Sequence, residues 1–175
     1  MRVIAQPLPG MFLVESKPFN DERGSLTHAW LSSALAPHDI CTNLAQAILS
    51  FNFKKGTIRG MHMQLPPHEQ HKTVRVTAGA IFDVALDLRP DSPTYLRWSG
   101  HELSGSNRHA LHIPAGFAHG FQTLVDNTEV LYFTSDLYAP ACERGFRYND
   151  PAFGIEWPIE PTVIHPRDAS FPDFA

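Results

Sequence analysis

The sequence predicts an all-β protein, built as an antiparallel sandwich or barrel with a few short helices. Fifteen prolines and eleven glycines are spread through its 175 residues, which leaves little room for long helices. Short runs rich in Val, Ile, Phe, Thr and Tyr recur between turn residues, as they do in strands. Many short strands at close spacing are typical of sandwiches and barrels rather than of parallel sheets.

The individual elements follow from these runs. Strands are predicted, in chain order, at 74–77, 80–88, 110–113, 120–124 and 130–134. In the run 80–88, apolar residues alternate imperfectly with Asp83 and Asp87, so both faces of this strand are expected to be partly buried. The two aspartates are predicted to be structural, bonded to backbone or to an arginine such as Arg89. Turn residues separate the runs, at 90–93, 105–107 and 126–127. Short helical turns are predicted at 31–35 and in the tail from residue 140.

Composition and charge narrow the class of protein. The length suggests one domain, residues 1–175, and 43% apolar with 18% charged residues is ordinary for a globular chain. The net charge is −4 and no basic stripe is present, which argues against nucleic acid as the main partner. No apolar run is long enough for a membrane span or a signal peptide. Cys41 and Cys142 lack metal-type spacing and fit unpaired thiols in the cytoplasm.

Two motifs, GTIRGMHMQ at 56–64 and IPAGFAHGF at 113–121, carry the chemistry. Together with the lysine that follows the first motif, they place four useful side chains on short β segments: Arg59, His62, Lys72 and His119. A histidine suits a base that removes a proton beside a carbonyl, because imidazole titrates near neutral pH. Nearby cations suit the oxygens of phosphates and of an enolate.

The order and spacing of further motifs resemble one family, the dTDP-4-dehydrorhamnose 3,5-epimerases. The resembling segments span nearly the whole chain, at 21–24, 59–72, 81–89, 92–94, 113–121, 138–140, 149–151, 157–158 and 166–168. The resemblance implies a cupin-type jelly roll, usually a homodimer, that uses no cofactor or metal. It also implies a reaction, the inversion of C3 and C5 beside the 4-keto group of a nucleotide-linked 6-deoxyhexose.

The resemblance assigns four catalytic roles. His62 matches the base, and Asp168 matches the carboxylate that fixes its tautomer and stabilises the imidazolium. Tyr132 matches the acid that returns a proton from the opposite face of the sugar. Lys72 matches the cation beside the enolate oxygen, a role that suits a compact point charge.

Further positions are assigned to substrate binding by resemblance. Arg59 and Arg23 are expected to grip the diphosphate, since the planar fork of arginine fits phosphate oxygens. The other expected contacts with the sugar or the nucleotide are Phe19, His119, Tyr138 and Glu143. An N-terminal segment exchanged between subunits would carry Phe19 and Arg23 into the partner's pocket.

The strand before Gly56 admits two registers against the family pattern. Without a gap, the pocket wall is Ala47, Leu49, Phe51 and Phe53. With a one-residue offset it is Gln46, Ile48, Ser50 and Asn52, which keeps more of the family's polarity and is preferred; the choice moves every side chain to the other face. In addition, His28 stands where the family has an acidic residue. These departures motivate two hypotheses: a nucleotide other than dTDP, and inversion of one carbon only.

Three alternatives remain beside the 3,5-epimerase. One is a single-centre epimerase acting on a GDP- or CDP-linked sugar. Another is a non-catalytic cupin that binds sugar nucleotides, which the retention of all four catalytic positions disfavours. The third is a metal-dependent cupin with ligands His62, Glu69 and His119. It is disfavoured because Gln64 replaces the second histidine of the metal motif and Lys72 adds a cation nearby.

Overall fold

The structure, a computed structural model, describes residues 1–174. Within that range the strands are β1 (Arg2–Ala5), β2 (Phe12–Glu15), β3 (Phe19–Asp21), β4 (Gly24–Leu26), β5 (Gln46–Asn52), β6 (Thr57–Gln64), β7 (Lys72–Ala78), β8 (Ala80–Asp87), β9 (Trp98–Ser104), β10 (His109–Ile113), β11 (Phe117–Thr123), β12 (Thr128–Thr134), β13 (Glu143–Gly145) and β14 (Val163–Ile164). The α-helices are α1 (Ser32–Leu35) and α2 (Pro166–Ala169), and 3-10 turns cover Ala36–His38 and Pro140–Cys142. None of the helices described is long and apolar enough to cross a membrane.

Two sheets form the body of the protein. The first sheet has the order β1-β2-β10-β7-β12-β5, and the second has the order β13-β6-β11-β8-β9. All of these pairings are antiparallel, while the two-residue β14 runs parallel to β6, and β3 and β4 form a separate hairpin. This arrangement confirms the predicted all-β, cupin-type jelly roll. Each of the five strands predicted from the apolar runs overlaps β7, β8, β10, β11 or β12.

The main core lies between the two sheets. Alternate residues of β7, β10 and β12 point inward from the first sheet, and alternate residues of β8 and β11 meet them from the second. The fully or almost fully buried contributors include Val74, Leu111, Val130, Ile81 and Phe121. Tyr132 packs at the margin of this core, where the apolar filling gives way to a cavity.

The outer face of the second sheet is covered by the C-terminal part of the chain. Phe146, Phe153, Trp157 and Phe174 pack there against buried residues of β6 and β8. Asp150, 2% exposed, accepts a hydrogen bond from the Phe174 amide at 2.6 Å and so fixes the end of this segment. The packing brings α2 alongside β6, although α2 follows that strand by about a hundred residues of sequence.

The two aspartates of β8 have different partners. Asp87 accepts hydrogen bonds from the Arg89 side chain at 2.8 and 2.7 Å, which confirms the structural role predicted for it. Burial alone would raise the pKa of Asp87, but the bonds from Arg89 and from two hydroxyls lower it to about 2. For Asp83 the predicted partner was wrong, because its carboxylate lies 2.7 Å from the His119 ring.

Candidate active site

A cavity of about 840 Å³ opens between the two sheets. Strands β6 and β11 of the second sheet form one side, and β5, β7 and β12 of the first sheet form the other. All four side chains assigned to catalysis line this cavity, together with two of those assigned to substrate binding: His62, Lys72, Tyr132, Asp168, Arg59 and His119. The motif histidines are brought together because β6 pairs with β11 in a register that sets His62 opposite His119.

His62 and Asp168 form a pair at the cavity wall, in which the carboxylate is buried and the imidazole is partly exposed. The His62 Nε2 atom lies 2.9 Å from Asp168 Oδ1, and the Gly60 amide donates to the other carboxylate oxygen at 3.2 Å. Because a carboxylate only accepts, Nε2 carries the proton and Nδ1 is left as the free base. Burial disfavours the charge on Asp168. The pKa of this carboxyl is nevertheless lowered, because His62 contributes a hydrogen bond and a charge. The hydrogen bond from the Gly60 amide and the charge of Arg167 act in the same direction.

Lys72 begins β7 and donates to the backbone carbonyl of His62 at 3.3 Å. Burial lowers the pKa of this lysine to about 8, although the charges of Asp83 and Glu143 oppose the shift. The ammonium is therefore charged at neutral pH, yet poorly solvated. A cation in this state can stabilise an oxyanion more strongly than one in bulk water.

Tyr132 approaches the cavity from the first sheet, whereas His62 approaches from the second. Burial raises the pKa of the Tyr132 hydroxyl, and the negative charge of Asp83 raises it further. The phenol therefore stays protonated and is available as a proton donor. Its ring meets the His119 ring edge-on, at 6.0 Å between centroids.

His119 is held by a carboxylate that the sequence did not reveal as its partner. Asp83 on β8 is fully buried, and its Oδ1 lies 2.7 Å from His119 Nε2. The two residues are diagonal neighbours, since β11 pairs with β8 so that Phe121 opposes Asp83. The second oxygen of Asp83 has no hydrogen-bond partner within the described residues. The negative charge of Asp83 is shielded from solvent, and it favours a higher pKa for both Lys72 and Tyr132.

Strand β5 presents the face that the offset register predicts. Ile48 and Ser50 line the cavity, while Leu49 is 61% exposed on the opposite face. Asn52, only 1% exposed, lies behind the cavity wall rather than in it, and its Oδ1 accepts from Arg59 Nε at 2.7 Å. The Asn52 amide nitrogen donates to two backbone carbonyls, which fix the side chain of Asn52. The orientation of the Arg59 guanidinium is fixed in turn.

Six residues assigned to substrate binding do not line the cavity of this chain, among residues 1–174: Phe19, Arg23, Gln46, Asn52, Tyr138 and Glu143. Phe19 and Arg23 belong to the exposed β3–β4 hairpin, where Arg23 bonds to Asp21 of its own turn. Gln46 makes a long bond of 3.5 Å to a loop carbonyl. The binding roles of these positions stay predictions.

The C-terminal part of the chain forms one wall of the cavity, and Asp168 is the only residue of that wall that the sequence analysis identified as functional. Residues 163–167 line the cavity because β14 pairs with the start of β6, with Val163 opposite Thr57. A two-residue parallel strand has no periodicity that could have been detected. The other lining residues without a sequence assignment are Thr57, Ile58, Gln70, Phe121 and Thr134.

Gln64 occupies the place of the second histidine in a cupin metal motif. Its amide nitrogen donates to the carbonyls of His68 and Leu137, at 2.6 and 3.1 Å. Its amide oxygen accepts from the Ala139 amide at 2.8 Å. Both amide hydrogens are used and the oxygen is bonded to a backbone amide, so the side chain connects two loops.

An imidazole backed by a carboxylate, a buried lysine and a protonated phenol on the opposite sheet define an acid–base site in a cupin-type jelly roll. The family model described as dTDP-4-dehydrorhamnose 3,5-epimerase matches residues 5–175. The chain belongs to the dTDP-4-dehydrorhamnose 3,5-epimerase family, a family of isomerases.

Individual relatives agree with this assignment. The chain is 41% identical over 161 residues to the dTDP-4-dehydrorhamnose 3,5-epimerase of Sinorhizobium fredii, covering 91% of this chain and 83% of the relative. It superimposes with a TM-score of 0.95 on the dTDP-4-dehydrorhamnose 3,5-epimerase of Bacillus anthracis, solved with TDP and PPi bound, at 36% identity and 99% coverage of both chains. It is also 41% identical over 125 residues to the dTDP-4-dehydrorhamnose 3-epimerase of Streptomyces niveus, covering 71% of this chain and 60% of the relative.

Proposed function

We propose that this protein epimerises a dTDP-linked 4-keto-6-deoxyhexose at C3 and C5, converting dTDP-4-dehydro-6-deoxyglucose to dTDP-4-dehydrorhamnose. The observation that carries the proposal is the placement of His62 and Tyr132 on opposite sheets around one cavity. Inversion of a carbon requires a base on one face of the sugar ring and a proton donor on the other, and these two side chains meet that requirement.

The proposed reaction begins with proton abstraction. His62 Nδ1 takes the proton from the carbon beside the ketone, and the C–H electron pair moves into the carbonyl to give an enolate. Lys72 stabilises the enolate oxygen, while Asp168 stabilises the imidazolium. Tyr132 then donates its proton to the same carbon from the opposite face, and the ketone re-forms. Solvent exchange restores His62 and Tyr132 before the second carbon reacts.

Arg59 is proposed to bind the diphosphate. It lines the cavity, and Asn52 fixes its Nε while leaving the terminal nitrogens free for phosphate oxygens. Ile48 and Ser50 then form the wall nearest to it on β5. They form a less apolar wall than the one that the ungapped register would have given, and dTDP is the nucleotide proposed here. GDP- and CDP-linked sugars serve as the competing ligands in a test.

The first test is proton exchange in D₂O with dTDP-4-keto-6-deoxyglucose, followed by NMR, for the wild type and for His62→Ala. Exchange at both C3 and C5 that is lost in the variant supports the 3,5-epimerase with His62 as base. Exchange at one carbon identifies the single-centre alternative, which the similarity to a 3-epimerase keeps open. Binding of the nucleotide sugar without exchange would instead identify a non-catalytic binding protein.

A homodimer is part of the proposal. The β3–β4 hairpin is exposed along both strands, and Leu49, Phe51 and Phe53 form an exposed apolar row beside the free edge of β5. A second subunit would bury this row and would receive the hairpin, with Phe19 and Arg23, at its own cavity. Sedimentation equilibrium should give twice the mass of 19.6 kDa.

The remaining expectations complete the proposal. Residues 1–175 would act as one domain that needs neither cofactor nor metal. The reaction moves only protons, and the side chains described above supply the base, the acid and the cation. A cytoplasmic location is proposed as well, since Cys41 and Cys142 are both free thiols and thiols persist in a reducing compartment.

A further inference from the structure

Arg167, a residue of α2, lines the cavity and contacts the side chains of Glu143, Asp168 and His62, the last at 3.5 Å between Arg167 Nη2 and His62 Nε2. Its Nη1 and Nη2 donate to the two carboxylate oxygens of Glu143, at 3.0 and 3.3 Å. Its Nε donates to Asp168 Oδ1 at 3.4 Å, the same oxygen that receives His62. The guanidinium therefore joins α2 to a second carboxylate, Glu143 of β13.

The position of Glu143 is fixed by its strand and by a second side chain. It begins β13, which pairs with β6 so that Glu143 opposes Gln64 and Gly145 opposes His62. The Tyr138 hydroxyl donates to Glu143 at 2.8 Å and restrains the carboxylate further. The fork from Arg167 thereby ties α2 to the strand adjacent to the one that carries the base.

Helix α2 depends on contacts of this kind to keep its position. It comprises only four residues, and the His165 ring caps its N-terminal turn by accepting from the Arg167 amide at 3.2 Å. A single helical turn is not stable by itself, because nucleation fixes several residues for one hydrogen bond. The position of Asp168 consequently depends on contacts that α2 makes with the rest of the protein.

We propose that Arg167 is a positioning residue, which holds Asp168 in line with His62 by bridging it to Glu143 and so preserves the imidazole tautomer that exposes Nδ1. The inference rests on the proposed function, because it assigns a purpose to that tautomer. It adds a residue for which neither the motif nor its position in a Pro-rich tail gave a role.

The geometry distinguishes positioning from substrate binding. Both oxygens of Glu143 are occupied by the guanidinium, and the bidentate pair neutralises its charge. An anionic group of the substrate would have to displace Glu143 to use the same donors. Arg59, by contrast, is held through Nε alone and has no carboxylate partner among the described residues.

The test is a double-mutant cycle with Arg167→Met and Asp168→Asn, using the D₂O exchange assay. If Arg167 acts through Asp168, Arg167→Met lowers kcat about tenfold in the wild-type background, with KM within about twofold. In the Asp168→Asn background the same change should cost less than about twofold. An equal loss in both backgrounds, or a raised KM with unchanged kcat, would overturn the proposal.

A readout without substrate separates this inference from the proposed function. The ¹⁵N shifts of the His62 ring in the ligand-free protein should report one tautomer, with Nε2 protonated, in the wild type and a mixture in Arg167→Met. A single Nε2–H tautomer in that variant contradicts the proposal even if the substrate has been misidentified.

Two further variants complete the design. Arg147→Met is the matched control, because Arg147 pairs with Asp173 of the same C-terminal segment and has no bond to Asp168 among the described residues. It should leave both the tautomer and kcat unchanged, and a tautomer mixture there would count against a specific role for Arg167. Arg167→Lys keeps the positive charge but loses the planar pair of donors, and it replaces Arg167→Met in the test if that variant does not fold. A mixture in Arg167→Lys supports the proposal, and a single tautomer with wild-type kcat overturns it.

Discussion

At the scale of single residues, the site is organised by two imidazole–carboxylate pairs with different surroundings. The His62–Asp168 pair has its carboxylate fully engaged, by the ring and by the Gly60 amide. In the His119–Asp83 pair one carboxylate oxygen lacks a partner, within the part of the chain that the structure describes. The first pair is suited to orienting a base, and the second to supplying a negative potential inside the cavity.

The first residue-scale prediction concerns Asp168→Asn. The amide nitrogen can donate to His62 Nε2, which would shift the ring proton to Nδ1 and remove the free base. We expect kcat to fall on the order of 10³-fold, while the melting temperature changes little because the shape is retained. Steady-state exchange assays and thermal unfolding check both. Asp136→Asn, at an exposed carboxylate bonded to His68, is the control and should keep full activity.

The second prediction for single residues is how the activity depends on pH. The pKa of Lys72 lies at about 8, below its ordinary value, so the cation is present at neutral pH and is lost as pH rises through about 8. Activity that needs the cation should therefore decline above that pH. In Lys72→Arg the guanidinium stays charged, and the decline should move beyond about pH 9 even though kcat is lower. Asp83→Asn removes a charge that favours the ammonium, so its decline should begin at lower pH than in the wild type. Identical alkaline limbs in all three proteins would contradict this account.

At the scale of elements, the close approach of β6 and β11 sets the distance between the two motifs. Gly60 has a φ of +112°, and a Cβ there would lie 2.6 Å from both the Gly120 Cα and the His119 carbonyl oxygen. Those neighbours are backbone atoms, so a side chain could be accommodated only by separating the strands. The glycine therefore permits the register in which His62 faces His119.

Gly60→Ala is accordingly predicted to destabilise the fold by about 3 kcal/mol or more, from the clash added to the backbone strain. Urea denaturation measures the free energy of unfolding. Gly24→Ala is the matched control, since Gly24 has a φ of +133° and a Cβ added there would meet no other atom within 4 Å. It should cost only about 1 kcal/mol. Equal losses in the two variants would show that the approach of the strands is not the cause.

The elements also show how far sequence reasoning reaches. Strands β7, β8 and β12 were predictable, because their buried residues form apolar runs bounded by turns. The pairing of Asp83 with His119 was not, since it depends on the register between β8 and β11. Neither was Arg167, whose partner Glu143 is remote in sequence and whose helix has a single turn.

At the scale of the whole molecule, the two arginines assigned to the diphosphate lie apart within one chain. The cavity of this chain brings together the side chains proposed as base, acid and enolate cation with two arginines, Arg59 and Arg167. The second arginine assigned to the diphosphate, Arg23, has an 85% exposed side chain on the hairpin. Its binding role was predicted from the resemblance to the family, and its position on an exposed hairpin could not be predicted from the sequence alone.

Mixed dimers test this at the same scale. Arg23→Ala and His62→Ala chains, each weakly active alone, should regain up to about a quarter of wild-type activity after random mixing if Arg23 serves the partner's cavity. In the mixed dimer one cavity then has both an intact His62 and an intact Arg23. Mixing Arg59→Ala with His62→Ala is the control, because both residues line the same cavity, and it should restore nothing. No recovery in the first mixture would place Arg23 in its own chain's site or outside the reaction.

The attachment of Asp168 to the sandwich has a practical consequence for handling this protein. Between Trp157 and β14 the chain passes through an exposed stretch that includes Glu160 and Thr162. Proteolytic cleavage there would leave both sheets and their shared core covalently intact, yet it would free the peptide that carries Asp168. Circular dichroism would report such a preparation as folded while turnover had been lost, so intact mass should be checked by mass spectrometry before a variant is declared inactive.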